Sequence, residues 1–302
     1  MNFLKSILSN MLKNAVNPNC NTCDGIYNSM DVHFTSNCDN NCPFCIDFKN
    51  RSKQKCVPNV DGIVQTIVTH KDEFKDVLFL GGEPCLYLKE LLDCVTTVKQ
   101  KTDLKVFVTT SVPPICFKKK ELFYRLIETI DGLNISAQHY DEKVGDKIRQ
   151  TKSAYDRQTF YSELPPHIRK KIRVTINLVK PYFNSKKEIL RLLHHYDDMD
   201  FGSILIRELQ QSPKLFVSFE RVMGIKLPSA YAHGCQIPLE IPGETFLTPI
   251  ILKRSCSLVE RSVKATWADV LKSMGKYFDI FETSPCNNFG VVWHDGSFRE
   301  GW

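Results

Sequence analysis

The sequence has no run of about 18 uncharged apolar residues, the length a helical membrane span requires, so no such span is expected. No secretory leader is expected either: the opening MNFLKSILSNMLKNAV holds no continuous apolar stretch of about seven residues. Low-complexity tracts, internal repeats and Gly/Ser linkers are missing too, so nothing in the composition marks off tethered modules. Charge of one sign is not concentrated. The 40 basic and 34 acidic residues leave +6, and the densest basic run, Lys118-Lys119-Lys120, reads as a solvated helix start. That balance neither argues for a nucleic-acid partner nor excludes one.

The 302 residues suit two ordinary domains or one α/β barrel, and suffice for a full core. With 42% hydrophobic and 25% charged residues, the composition is globular rather than disordered, collagen-like or coiled-coil. Twelve cysteines is a high count for a chain that needs no disulfides. Without an export signal they are expected in a reducing, cytoplasmic setting, where clustered cysteines read as metal ligands or catalysts. Phe3, Leu4, Ile7, Leu8, Met11, Leu12 and Val16 form one stripe of an amphipathic helix. It either packs on the main domain or touches a membrane surface.

Along the chain, short strands rich in Val, Ile and Phe alternate with helical patterns. The expected strands are Asp31–Thr35, Val77–Leu80, Leu104–Thr109, Gly132–Ala137, Ile172–Val179 and Ser203–Arg207. The expected helices are Val60–His70, Leu86–Lys99, Lys119–Ile130 and Lys186–Tyr196, with a polar stretch from Tyr140 to about Lys171. Six β-then-α units imply a parallel sheet with right-handed crossovers. They are too few for the eight-stranded barrel and fit a partial (βα)6 barrel. The expected organisation is an N-terminal lead-in over 1–29, the barrel over 30–211 and an irregular, proline-rich C-terminal extension over 212–302 that caps the barrel.

Chemistry concentrates where such sheets bind ligands, at the carboxyl ends of the strands. Directly after the first strand comes Cys38-Asp39-Asn40-Asn41-Cys42-Pro43-Phe44-Cys45. A structural zinc site takes four protein ligands, as a rule in two separated pairs. A 4Fe–4S cluster also normally takes four cysteines, so three leave one iron open to a substrate or cofactor. One βα unit later, Leu80-Gly81-Gly82-Glu83-Pro84 places two glycines and a carboxylate at the end of the second strand. The glycines allow close backbone approach to a ligand, and Glu83 could bind an ammonium group.

Together, the Cys-x3-Cys-x2-Cys loop with Phe44 before its last cysteine, the GGEP segment and the six βα units resemble the radical S-adenosylmethionine (SAM) superfamily over roughly residues 30–210. The resemblance implies a 4Fe–4S cluster on Cys38, Cys42 and Cys45, with SAM chelating the fourth iron. Gly81, Gly82 and Glu83 would receive the amino group of SAM, and Pro84 would shape the turn. It also implies reductive cleavage of SAM to a 5′-deoxyadenosyl radical that abstracts hydrogen from a substrate, and a flavodoxin- or ferredoxin-type electron donor. By the same resemblance Ser136 would contact the cofactor's ribose or carboxylate, Asn177 its nucleoside and Arg207 its adenine. The third strand ends Thr109-Thr110-Ser111, where many relatives carry Thr-Asn-Gly, so no contact is assigned to it.

Cys94 reads as core, and Cys85 as packing behind GGEP. Cys20 and Cys23 form a CxxC pair which, with two of Cys235, Cys256 and Cys286, could hold a second cluster or a zinc ion; scattered free thiols are the simpler reading. Cys235, beside Gly234, is a candidate hydrogen-atom donor or acceptor. Asp295-Gly296 reads as a hairpin turn that either closes the barrel mouth or plugs its open edge. The expected substrate is a small nucleotide or sugar. A peptide or a nucleic acid base is the alternative, and a non-catalytic iron–sulfur or zinc protein is the reading from another class.

Overall fold

A computed structural model describes residues 29–52, 54–152, 155–209, 214–226, 236–253 and 290–300. The N-terminal amphipathic stripe and Cys20, Cys23, Cys235, Cys256 and Cys286 lie outside the described residues.

Six strands run in parallel and in chain order: β1 (Ser29–Thr35), β2 (Asp76–Gly81), β3 (Lys105–Thr110), β4 (Gly132–Ser136), β5 (Ile172–Leu178) and β6 (Ser203–Glu208). All six lie within two residues of their expected bounds. By their register Val32, Phe79, Val108, Ile135, Val174 and Ile204 lie on one face, and they are buried. The apolar cover on both faces expected of such parallel strands is not met, because the opposite face carries Thr109, Asn134, Ser136, Asn177 and Arg207, all partly exposed.

The helices follow from apolar spacing and capping. Helix α1 (Val60–Thr69) starts where the Asn59 side chain accepts from Gly62 N, and buries Ile63, Val64 and Ile67. Helix α2 (Leu88–Lys101) turns Leu88, Leu91, Leu92, Val95 and Val98 inward at i, i+3, i+4 spacing. Each such leucine contributes about 1.5–3 kcal/mol of burial. Cys94, on the same face, is core as expected. Helices α3 (Pro114–Lys118) and α4 (Lys120–Thr129) follow β3. The polar stretch after β4 resolves into α5 (Glu142–Arg149), α6 (Arg157–Ser162) and α7 (Pro166–Arg169); the first two are capped by Asp141 and Asp156. Helix α8 (Lys186–Asp197) lies between β5 and β6, and α9 (Phe219–Met223) follows β6.

The C-terminal region is not irregular throughout. Two strand pairs extend the same sheet at both edges. On one side β8 (Ile250–Lys253) pairs parallel with β6, and β7 (Gln236–Pro238) antiparallel with β8. On the other, β9 (Gly290–Trp293) pairs parallel with β1, and β10 (Phe298–Glu300) antiparallel with β9. The β9–β10 turn is the Asp295-Gly296 hairpin, with Gly296 at φ +87°. It sits on α1: Thr66 Oγ1 donates to Gly296 O at 2.6 Å and Asn59 N to His294 O at 2.7 Å. Of the two expectations for this hairpin, the described contacts place it at the open edge beside β1, where it covers otherwise unpaired backbone.

Candidate active site

The cysteine loop leaves β1 and folds back on itself. Cys45 N donates to Cys42 O at 3.2 Å, and Ser52 N to Ser36 O at 3.1 Å. Asn37 holds the start of the loop: its amide donates to Ser52 O and Gln54 O and accepts from Cys56 N and Tyr87 Oη. Arg51 Nη1 donates to Asn40 O at 2.6 Å, and Asn41 N to Arg149 O at 2.8 Å. The loop is therefore tied both to the segment from Arg51 to Cys56 and to the end of α5.

The two glycines of GGEP are explained by this loop more than by a ligand. A Cβ on Gly82 would lie 2.1 Å from Asn37 O, and one on Gly81, at φ +112°, 2.9 Å from Thr35 O. Their absence lets Gly82 N donate to Thr35 O and Glu83 N to Asn37 O, each at 2.7 Å. Only glycine permits this contact between the two motifs.

Glu83 is 2% exposed and sits among donors. Oε1 accepts from Thr110 Oγ1 at 2.6 Å and Cys85 N at 3.1 Å; Oε2 accepts from Ser111 Oγ at 2.6 Å and Ser111 N at 2.7 Å. Burial, then the charge of Asp39, push its carboxyl above the ordinary range, against the pull of these hydrogen bonds. The end of β3, to which no contact was assigned, thus grips the GGEP carboxylate. Asn40 adds a further link, donating from Nδ2 to Ser111 Oγ at 2.8 Å.

Behind this layer lies a buried ionic network. Arg157 Nε donates to Ser111 O and Val112 O at 3.0 and 3.1 Å, holding Val112 at φ +55°, a conformation β-branched residues seldom adopt. Arg157 Nη1 reaches Glu142, and Arg149 donates to Glu142, Asp146 and Ala137 O.

Cys38, Cys42, Cys45, Gly81, Gly82, Glu83, Ser136, Asn177 and Arg207 all border one open cleft. Pro84 is buried and begins the turn after Glu83. Asn40, Arg51, Thr110, Ser111, Gln138 and Arg149 border the same cleft, and nothing in the sequence pattern singled them out for it. All three loop cysteines are free and half-buried. Burial, then the charge of Glu83, push the Cys38 thiol up to about 12. Burial, then Cys45, push Cys42 up to about 11. Arg51 faces these cysteines; burial works against its charge, while Cys45, Cys38 and Cys42 favour it, and the net direction is up. Among the described residues no three His, Cys, Asp or Glu side chains converge as a single-ion site. A cubic cluster makes no such demand, because it holds each cysteine at a separate corner. Three thiols around one cleft, with a guanidinium to balance thiolate charge, fit a three-cysteine cluster.

Known proteins resemble this chain in family and in fold. The model of the Radical SAM superfamily matches residues 32–196. Streptococcus suis SuiB bound to S-adenosylmethionine superposes with TM-score 0.50 at 18% identity, covering 63% of this chain and 41% of that one. Coproporphyrinogen III oxidase (HemN) from Escherichia coli gives TM-score 0.46 at 14% identity over 67% of this chain and 52% of that one. Native anSMEcpe with bound AdoMet and Cp18Cys peptide gives TM-score 0.46 at 16% identity over 90% and 73%. The chain spans about two fifths of the length of the SuiB chain. No curated protein sequence matches it.

Proposed function

The chain belongs to the radical SAM superfamily and is a radical SAM enzyme, and on that premise we propose that Cys38, Cys42 and Cys45 hold its 4Fe–4S cluster while the GGEP segment holds the methionine end of SAM. The observation that carries this reading is the single cleft bordered by all three cysteines and by Gly81, Gly82 and Glu83. When bound, the cluster and SAM supply one-electron cleavage of a carbon–sulfur bond and hydrogen abstraction from substrate.

The protein's part is positioning. Gly82 seats the cysteine loop on GGEP through two backbone bonds, which fixes the cluster ligands relative to Glu83. Glu83 would place negative charge beside the amino group of SAM, whose N–H bonds would remain donors with its lone pair on the open iron. Arg51 lies beside the cysteines, where it balances part of the thiolate charge. Ser136, Asn177 and Arg207, at the ends of β4, β5 and β6, are assigned the ribose or carboxylate, nucleoside and adenine ends of SAM. Cys235 keeps its proposed role as a hydrogen-atom relay. A second cluster or zinc at Cys20, Cys23 and the C-terminal cysteines remains a separate proposal. An external flavodoxin- or ferredoxin-type protein is the proposed reductant.

The proposed substrate is a small nucleotide or sugar. A peptide is the second reading, because SuiB and anSMEcpe are described with bound peptides; a nucleic acid base is the third. No described helix is long and apolar enough to cross a membrane. The site assignment is tested by anaerobic reconstitution with iron and sulfide, followed by EPR of the reduced protein. About four irons and a signal that shifts on adding SAM support it. An unchanged signal, or Cys38→Ala with wild-type iron content, overturns it.

A further inference from the structure

The segment that follows the cysteine loop differs from the rest of the described surface. Among the described residues the large apolar side chains that stand out in solvent are Ile46, Phe48, Val57 and Leu247, and all but Leu247 fall between residues 46 and 57. Such side chains scattered singly need no explanation, whereas a local concentration marks an interaction site. Ile46 and Phe48 are each 59% exposed. Ile46 borders the cleft beside Cys45 and Phe48 does not, so an apolar edge runs from the cleft to the outer surface.

The residue between them is turned the other way. Asp47 is buried, with both carboxylate oxygens 3.1 Å from His33 Nε2, and its Oδ1 accepts from Asn50 Nδ2 at 2.9 Å. Apolar groups out and a carboxylate in is the reverse of the ordinary order at a surface. It also leaves the segment's charge one-sided. Residues 46–57 carry the bases Lys49, Arg51, Lys53 and Lys55, and Asp47 is their one acid. The Arg51 guanidinium lies 5.6 Å from the Phe48 ring centre, joining positive charge to the apolar edge, and Lys55 is exposed. Asp39, the acid within the cysteine loop, has Arg157 and Arg149 as nearby charges.

We propose that Ile46, Phe48 and the basic segment from Lys49 to Lys55 form the docking surface for the reductant, an acidic one-electron carrier protein. The proposal rests on the assignment of the cluster to Cys38, Cys42 and Cys45, and adds where the electron enters. One electron leaves the carrier, which is oxidised, and reduces the cluster; no bond forms or breaks. Ile46 follows Cys45 directly, so a carrier seated here has a short path to the cluster, and electron transfer weakens steeply with distance. A small apolar centre beside charge suits such a partner, because electron-transfer interfaces are small and charge steers the encounter.

The test measures binding and reduction separately on the reconstituted full chain. The probes are a flavodoxin and a 4Fe–4S ferredoxin, both of net negative charge. Surface plasmon resonance with the oxidised carriers gives dissociation constants, and stopped-flow bleaching of the cluster absorbance gives reduction rates. Wild type should bind at least one carrier. Phe48→Asp and Lys55→Glu should each weaken that binding about tenfold, and slow reduction by subsaturating carrier to match. Dithionite, too small to need the surface, should reduce all three proteins at one rate. Lys55→Arg should keep wild-type affinity. The gap between wild type and Lys55→Glu should close at about 1 M salt, where the Debye length is about 3 Å. Iron is counted in every sample, and Lys55→Glu reports independently if Phe48→Asp loses its loop. Unchanged affinity in both variants overturns the proposal, as does a cluster-bearing wild type that binds neither carrier; both leave the cluster assignment standing. Equal slowing with dithionite places the effect on the cluster and overturns docking too. Variants that bind carrier normally but lose peptide-dependent turnover under dithionite would give the face to substrate instead. A wild type that holds no cluster overturns the site reading and the proposal with it.

Discussion

Replacing Gly82 by alanine tests the contact between the two motifs. The added methyl would sit 2.1 Å from Asn37 O and 2.7 Å from Asn37 C, and both are backbone atoms that cannot swing aside. The cysteine loop or the GGEP turn has to move, and two backbone bonds of 2.7 Å, Gly82 N to Thr35 O and Glu83 N to Asn37 O, stretch or break. Overpacking costs about 1–3 kcal/mol and each lost bond about 0.5–1.5 kcal/mol, so the expected loss is roughly 2–6 kcal/mol. Set against a total stability of about 5–15 kcal/mol, that is a large fraction. Gly224 is the control: it has φ +65°, but an added methyl there would meet nothing within 4 Å. Alanine there should cost about 1–2 kcal/mol from backbone conformation alone. Urea unfolding of the two variants, with iron counted after reconstitution, separates them. Gly82→Ala should lose both stability and iron, and Gly224→Ala should lose little stability and no iron. A Gly82→Ala protein with wild-type midpoint and iron content would refute the idea that the glycines exist for this contact.

Three further outcomes come from the packing. Arg157→Met removes the clamp on Ser111 and Val112 and takes one of two arginine partners from half-buried Glu142; unfolding should show a loss of about 1–3 kcal/mol, and an unchanged midpoint would contradict the clamp. Asp156 caps α6, accepting from Gln158 N, Thr159 N and Thr159 Oγ1. The Thr159 hydroxyl, then its backbone N–H, hold the Asp156 carboxyl below its usual 3.8. The cap therefore contributes fully above that value and is lost as pH falls through the lowered one. Asp156→Ala should cost about 1 kcal/mol at neutral pH, and the difference from wild type should vanish in strong acid; a gap that widens in acid would refute this. Trp293→Ala removes the ring that lies tilted by 32° against buried His33, 4.5 Å between centroids. Hydrogen exchange should quicken along β9 and the β1 edge, and uniform protection would count against an edge-covering role for the hairpin.

What the sequence revealed depended on how local the signal was. The six parallel strands were legible because each is a short run rich in Val, Ile, Leu or Phe with a buried face, followed by a helical period. Strand β8 was not, because Ile250–Lys253 is four residues long, follows Pro249 and has no helix rhythm around it. The cysteines and GGEP stood out because each motif lies within a few consecutive residues. The partners that complete the site are set by which loop ends meet in space. Asn40 and Ser111 are 71 residues apart, and Thr110 and Glu83 are 27 apart. Thr110-Ser111 stands out in the sequence only as a departure from Thr-Asn-Gly, and its role becomes visible once both hydroxyls are found on Glu83.

The most direct test of the central claim is production of 5′-deoxyadenosine from SAM under dithionite, without oxygen, by reconstituted wild type beside Cys42→Ala. The account predicts product from wild type in the presence of about four irons per chain, and none from the variant. Product formed equally by both would contradict the assignment of the cysteine loop. A wild-type protein that holds its cluster, binds SAM and never cleaves it, with any of the proposed substrate classes present, would contradict the assignment of the cleft as a catalytic site.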